Sequence, residues 1–315
     1  MNVLITGALS HLSINFLLNY KYNKIVAIDK ISYCSQNKNL LPKDIIFIED
    51  DINNINLSKI LNKYKINIII NCLASTHVDR SYTHFDEFIN SNIKAIHNIL
   101  EAIKSTNIKL IHISTDEVYG GDKDKVFTEL DMLNPTNPYS ASKVSSEMLI
   151  NSYIYSYNID CVILRPNNFI GKFQYHEKVI PKFIYRMINN LPIEIHGDGN
   201  QIRDFISTLE VAKTIYTFSY KNYKGIYNVG TTNSITINEL GEYIFKYLKL
   251  HNKTELSKYT YKKYVTDRPY NDFRYKIDTS KLNSIGINIQ QDLYVILNDV
   301  IKHYIDMYEN FYINY

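Results

Sequence analysis

The sequence predicts an α/β fold built on a doubly wound parallel sheet, and three observations carry that reading. Short apolar runs at 2–6, 25–28, 45–48, 66–73, 108–114 and 160–165 alternate with helical patterns. Runs apolar on both faces belong to strands covered on both sides, as helical crossovers require. The first run ends at Gly7 and the second at Asp29, the strand–turn–helix–strand–acid order of a dinucleotide-binding βαβ unit. Finally, 315 residues with 45% hydrophobic and 21% charged character suit one large domain or two unequal ones.

Taken in order, the first helix follows Gly7 and turns Leu12, Phe16 and Leu17 inward. Asp29 lies 22 residues after Gly7, near the ~20 expected of a carboxylate that takes ribose hydroxyls. An acid there repels a 2′-phosphate, which favours NAD over NADP. The glycine fingerprint itself is broken: at the spacing GxxGxxG the chain reads Gly7, Ser10 and Ser13. Ser10 fits the middle position if its φ is negative, with its hydroxyl available to a phosphate. Asp50, Asp51 and Ile52 follow the third run and read equally as an adenine-edge contact or an acidic turn. Helical patterns occupy 56–64, 83–106 and 138–158.

From Arg165 the texture changes to loops carrying Lys178, Arg203, Arg268 and Arg274. Cations above a cleft suit an anionic substrate such as a diphosphate, while each alone also reads as solvated surface. Residues 290–309 carry an i, i+3, i+4 apolar stripe, a packing helix. The division expected is 1–166 as a dinucleotide-binding domain, to which some later segments return, and 167–315 as a smaller α/β substrate-binding region.

Composition excludes other classes. Net charge of +3, evenly spread, does not call for nucleic acid. The three cysteines form no CxxC, and the nine histidines take no metal-ligand spacing. Reduced thiols and a cytoplasmic setting are expected. Neither a secretory leader nor an apolar run of the ~18 residues needed to span a membrane is present, so a soluble protein is expected. The abundance of Asn, Ile, Lys and Tyr, with only 10 Gly, reads as coding bias, because apolar periodicity persists throughout.

The chemistry concentrates in Ile111–Glu147. Thr115, Asp116 and Glu117 end an apolar strand, and Tyr139 and Lys143 lie four apart on the next helix. An ammonium beside a phenol lowers its pKa from ~10 toward working pH, which lets the phenolate take a proton from a substrate hydroxyl. Two adjacent carboxylates in a closed pocket cannot both ionise cheaply, so one stays an acid while the other is a base.

These motifs resemble a known family. TGALSHL at 6–12, DKISY at 29–33, STHVDRS at 75–81, STDEVYG at 114–120 and NPYSASK at 137–143 are similar to extended short-chain dehydrogenase/reductases. RPNNFIG, EKVIPKF, GDGNQIRDF and DRPYNDFRY narrow the resemblance to nucleotide-sugar 4,6-dehydratases, across nearly the whole chain. It implies a Rossmann-like fold, a homodimer, and NAD-dependent conversion of a UDP- or dTDP-hexose to its 4-keto-6-deoxy form.

The implied roles follow. Tyr139 deprotonates the C4 hydroxyl as hydride passes to NAD, Thr115 hydrogen-bonds that oxygen, and Lys143 also holds the nicotinamide ribose. Glu117 then removes the C5 proton, protonated Asp116 gives its proton to the departing C6 hydroxyl, and hydride returns to C6. Implied cofactor contacts are Gly7, His11 and Leu12, then Asp29, Lys30 and Ser32, then Asp51 and Ile52, with Leu73, Ala74 and Ser91, beside Tyr139 and Lys143. Implied substrate contacts are Thr76, Asn168, Lys178, Val179, Arg203 on the diphosphate, and Arg268. His196 stands where an aromatic ring usually meets the nucleobase. The chain departs from the family at Ser10 and Ser13 for glycines, His11 for Phe and Ser75 for Glu. The rival readings are a nucleotide-sugar 4-epimerase, which needs no acid–base pair after the strand, and a non-catalytic dinucleotide-binding protein.

Overall fold

A computed structural model describes residues 1–310. Seven strands form one sheet, parallel throughout: β1 (Asn2–Thr6), β2 (Lys24–Asp29), β3 (Ile46–Glu49), β4 (Ile68–Asn71), β5 (Lys109–Ile113), β6 (Cys161–Pro166) and β10 (Gly225–Val229), in the order β10-β6-β5-β4-β1-β2-β3. The chain winds outward from β1 through β2 and β3, then restarts on the other side at β4. Thr6 is therefore paired with Asn71 at the point where strand order reverses, the crevice in which open α/β sheets bind ligands.

Helices cover both faces. On one, α1 (His11–Asn19) and α8 (Thr208–Tyr220) bury Val3, Ile5, Ile70 and Ile111 against Phe16, Ile215 and Phe218. On the other, α2 (Leu57–Tyr64), α5 (Ala95–Ile103) and α6 (Pro138–Tyr157) close over Leu4, Val26, Ile69, Leu110 and Ile163. Residues expected as one helix over 83–106 are instead α4 (Phe85–Phe88), a π-helical turn at Ile89–Lys94 and α5, preceded by the short α3 (Val78–Ser81). The wide turn sends Asn92 inward, where its amide donates to Ser142 Oγ (2.8 Å) and to the Ser75 carbonyl (3.1 Å).

The stretch read as loops after Arg165 is in fact structured. β7 (Asn168–Ile170), β9 (Ile202–Ser207) and β11 (Ser234–Thr236) form a three-stranded sheet, and β8 (Ile193–His196) pairs with β12 (Lys262–Val265). These strands have only three to six residues, too short to show periodicity. With α7 (Val179–Ile188), α9 (Ile237–Leu250) and α11 (Leu293–Asn310), they enclose a second core around Phe183, Ile195, Phe205, Leu240 and Leu297. The remaining helix, α10 (Ser280–Ser284), buries Leu282 in the core shared by α1 and α8.

Candidate active site

Every residue singled out for chemistry in the first half lies at the C-terminal edge of the large sheet. Gly7 follows β1, Asp29 ends β2, Leu73 and Ala74 follow β4, and Thr115–Glu117 follow β5. The catalytic helix starts where the sequence dictates. Asn137 caps α6, accepting from Ser140 N at 2.9 Å in a capping box, and Pro138 pre-sets the first turn. Tyr139 and Lys143 then share one inward face one turn apart.

All five catalytic candidates are buried. Thr115 Oγ1 accepts the Glu117 N–H at 3.2 Å and shapes the short turn Asp116–Tyr119, which points both carboxylates into the interior. Asn167 Nδ2 donates to Asp116 Oδ2 (2.9 Å), and Asn137 Nδ2 donates to Glu117 Oε2 (3.2 Å). Burial, with the charge of Glu117 adding to it, lifts the Asp116 carboxyl to about 8, so it is protonated at neutral pH. Glu117 is also raised by burial, but Arg203, the Asn137 hydrogen bond and Arg268 pull it back. The two buried carboxyls thus differ in their neighbours: Asp116 faces the charge of Glu117, whereas Glu117 faces two guanidinium groups.

Tyr139 departs from expectation. Burial and the nearby Glu117 and Asp116 charges push its phenol up, against a lowering hydrogen bond with Thr115. The Lys143 ammonium, itself brought down to about 8 by burial, donates to the Ile113 carbonyl at 2.6 Å. The reason is first burial, which disfavours the phenolate, and then the negative charge of Glu117 in the same low-dielectric pocket.

The dinucleotide cradle passes a direct test of fit. Gly7 has φ +68°, and a Cβ there would meet the Leu73 backbone at 2.6 Å, so this position accepts only glycine. Ser10 has φ −67°, as its place in the fingerprint requires, and its hydroxyl caps α1 by accepting from Ser13 N at 3.3 Å. Asp29 accepts from Leu9 N and Lys30 N, and burial raises it to about 6. His11 Nε2 is buried without a partner, beside the α1 N-terminus, and burial keeps its imidazole neutral, down to about 3. An orphaned polar atom, a Cβ-free turn and a helix N-terminus suit a dinucleotide pyrophosphate. Lys30 is paired with Asp51 (2.8 Å), Ile52 is fully buried, Ser32 bonds Ser35 in an exposed loop, and Ser91 bonds Ser75. The Ile52 side chain packs into the core shared with α2 and α5.

Beyond Glu117 opens a cavity of about 520 Å³ whose walls include all seven substrate candidates: Thr76, Asn168, Lys178, Val179, His196, Arg203 and Arg268. Lys178 Nζ donates to Thr76 Oγ1 (3.0 Å) and to its carbonyl. Arg203 is held rigidly, donating to the carbonyls of Ile202, Asp272 and Phe273 and to Asn271 Oδ1. Asn168 Oδ1 and His196 Nδ1 are buried without partners, acceptors or donors turned toward the cavity wall.

The sequence matches the family model described as GDP-mannose 4,6 dehydratase over residues 5–287. The chain belongs to this 4,6-dehydratase family. It is 37% identical over 295 residues to dTDP-D-glucose 4,6-dehydratase of Mus musculus, covering 90% of this chain and 83% of that one. Among solved structures, dTDP-glucose 4,6-dehydratase of Bacillus anthracis str. Ames in complex with NAD is similar at TM-score 0.86 and 28% identity, covering 98% of each chain. UDP-N-acetylglucosamine 4-epimerase of Methanobrevibacter ruminantium M1, in complex with UDP-N-acetylmuramic acid, is 30% identical at TM-score 0.86, covering 97% of this chain and 98% of that one.

Two residues of this dehydratase-family site escaped the sequence reading: Asn137 and Asn167, which hold the two carboxylates. Both sit inside motifs already singled out, yet an Asn before Pro reads as a helix cap and an Asn in a loop reads as a turn. The contacts that give them a second role join residues 20 and 51 positions apart.

Proposed function

We propose that the protein is a nucleotide-sugar 4,6-dehydratase that binds NAD and converts a UDP- or dTDP-hexose of gluco configuration, or UDP-N-acetylglucosamine, to its 4-keto-6-deoxy form. The observation that carries this reading is the buried pair Asp116 and Glu117, with Asp116 held protonated and Glu117 on the cavity wall facing Arg203 and Arg268. An epimerase has no use for such a pair. The likeness to a 4-epimerase structure favours the rival only at the level of fold.

NAD, when bound in the Gly7–Asp29 cradle, supplies a hydride acceptor at C4 and a hydride donor at C6 of the same sugar. Tyr139, its phenol brought down by the positive nicotinamide ring when NAD is bound, would take the proton of the C4 hydroxyl, which Thr115 orients, and Lys143 would hold the nicotinamide ribose. The C4 ketone acidifies C5–H, and Glu117 removes that proton. Asp116 protonates the leaving C6 hydroxyl, which departs as water; as hydride returns to C6, C5 takes up a proton in place of the one that Glu117 removed. Arg203 binds the diphosphate, with Lys178 and Arg268 around it; Thr76, Asn168, Val179 and His196 define the sugar and base ends. The second copy of a homodimer packs on the α5–α6 face, where Tyr155 is 84% exposed and Tyr157 and Met148 stand out of the core. The free thiols of Cys34, Cys72 and Cys161 fit a cytoplasmic location.

Incubation with dTDP-glucose, UDP-glucose and UDP-N-acetylglucosamine, followed by NMR of the products, tests the reading. A 4-keto-6-deoxy product from at least one supports it. Simple C4 epimers, or bound NAD with no turnover of any of the three, overturn it.

A further inference from the structure

Behind the catalytic triplet lies a buried polar network that the reaction scheme does not use. Glu147 and Arg165 are almost fully enclosed and form a salt bridge, Arg165 Nη2 to Glu147 Oε2 at 2.5 Å, with Arg165 Nε within 3.2 Å of both oxygens. Each partner has one further arm. Glu147 Oε1 accepts from the Ser114 hydroxyl (2.5 Å), immediately before Thr115. Arg165 Nη1 donates to the Tyr119 hydroxyl (2.7 Å), two residues after Glu117, and its guanidinium lies 4.8 Å from the Tyr119 ring centroid. Tyr119 in turn donates to Asn228 Oδ1 (2.7 Å) on β10.

We propose that the Glu147–Arg165 pair is a positioning clamp for the catalytic triplet, gripping its strand side through Ser114 and its turn side through Tyr119, with Glu147 also the counter-charge of Lys143. The proposal rests on the dehydratase reading for its kinetic consequences, and on geometry alone for the clamp itself. Desolvation of two buried charges offsets most of their attraction, so the pair adds little net stability. What it adds is direction: one helix and two strands, α6, β6 and β10, meet at the two ends of the six-residue segment Ser114–Tyr119, which must hold an acid, a base and a hydroxyl in register.

The counter-charge role follows from position. Glu147 is one helical turn from Lys143 on the same inward face of α6. The other titratable groups facing Lys143 are the Tyr139 phenol one turn before it, the Cys72 thiol after β4 and the His112 imidazole on β5. In the free protein all three are neutral, the phenol pushed up, the thiol pushed up to about 12 and the imidazole held well below its ordinary value by burial. Glu147 is therefore the charge that opposes the burial of the Lys143 ammonium.

The test compares E147Q, R165M and the double variant E147Q/R165M. Each single variant strands a buried charge and is destabilised, whereas the neutral pair folds. In the double variant, melting temperature and calorimetric NAD affinity stay at wild-type values. Its kcat falls on the order of 10²-fold, as a small misplacement of reacting groups costs, while KM is unchanged. The basic limb of its kcat–pH profile moves to lower pH, because Lys143 loses its proton more easily without Glu147. Amide hydrogen exchange within 113–120 accelerates while β1 and β4 are unaffected. Wild-type kcat with wild-type exchange in the double variant overturns the proposal, as does a kcat loss that merely tracks melting temperature. If the wild-type protein turns over no nucleotide hexose, the functional reading fails, and the exchange measurement still decides the clamp.

Discussion

Asp79 on α3 and Arg268 on the loop after β12 form an ion pair across the mouth of the substrate cavity, Oδ1 to Nε at 2.6 Å. The guanidinium assigned to the substrate is thus already engaged by a carboxylate of the other core. A substrate anion must displace Asp79 to reach it, so Asp79 acts as a placeholder. Both side chains are partly exposed, so the pair is worth about 1 kcal/mol or less. Asp79→Asn is therefore expected to bind dTDP or UDP roughly two- to fivefold more tightly at low salt, read by calorimetry. Equal or weaker binding shows that Arg268 does not meet the nucleotide.

Separating the base from the oxidation is a second measurement. Glu117→Gln removes the proton acceptor but keeps the partner of Asn137. Wash-in of solvent deuterium at C5 should be abolished while reduced nicotinamide still forms on adding substrate. Wild-type deuterium wash-in by this variant would show that another group is the base.

The state of Asp116 makes a stability prediction with a definite sign. Its carboxyl stands near 8 in the folded protein against an ordinary value of 3.8. A raised carboxyl contributes stability in full below the unfolded value and loses it as pH rises through the folded one. Relative to Asp116→Asn, the wild-type melting temperature should fall steadily between pH 4 and pH 8 and level off above. A constant difference across that range would show that Asp116 titrates normally.

The glycine turn and its serine replacements respond oppositely to substitution. Gly7→Ala places a Cβ on the Leu73 backbone at positive φ, so it costs more than the 1–2 kcal/mol of a left-handed residue alone and abolishes NAD binding. Ser10→Ala loses the cap of α1 and about 1 kcal/mol. Ser10→Gly costs only a few tenths of a kcal/mol and is expected to raise NAD affinity by letting backbone approach the pyrophosphate. Urea unfolding and NAD titration of the three variants check both halves.

Much of the fold was legible because its signals are local. The β1–Gly7–α1–β2–Asp29 unit announces itself by apolar runs, one obligatory glycine and one acid at a fixed interval. The boundaries of α6 follow from Asn137 and Pro138 at its start and left-handed Asn158 at its end. The order of the seven strands was not legible in the same way, nor were β7, β9 and β11, whose few residues owe their conformation to pairing with segments dozens of positions away. The π-turn at 89–94 was missed because its periodicity differs from an α-helix by a single residue.

The sequence by itself singled out the candidate residues: Tyr139 and Lys143 by helical spacing, Thr115–Glu117 by adjacency, Gly7 and Asp29 by interval. These are relations among near neighbours, and backbone geometry reads them directly. Only the tertiary structure decided their electrical state. Burial holds Asp116 protonated, while Arg203, Asn137 and Arg268, distant in sequence, oppose the same burial at Glu117. Tyr139 stands high because burial disfavours its phenolate and Glu117 shares the dry pocket. Desolvation and charge act through space, and no spacing along the chain records them.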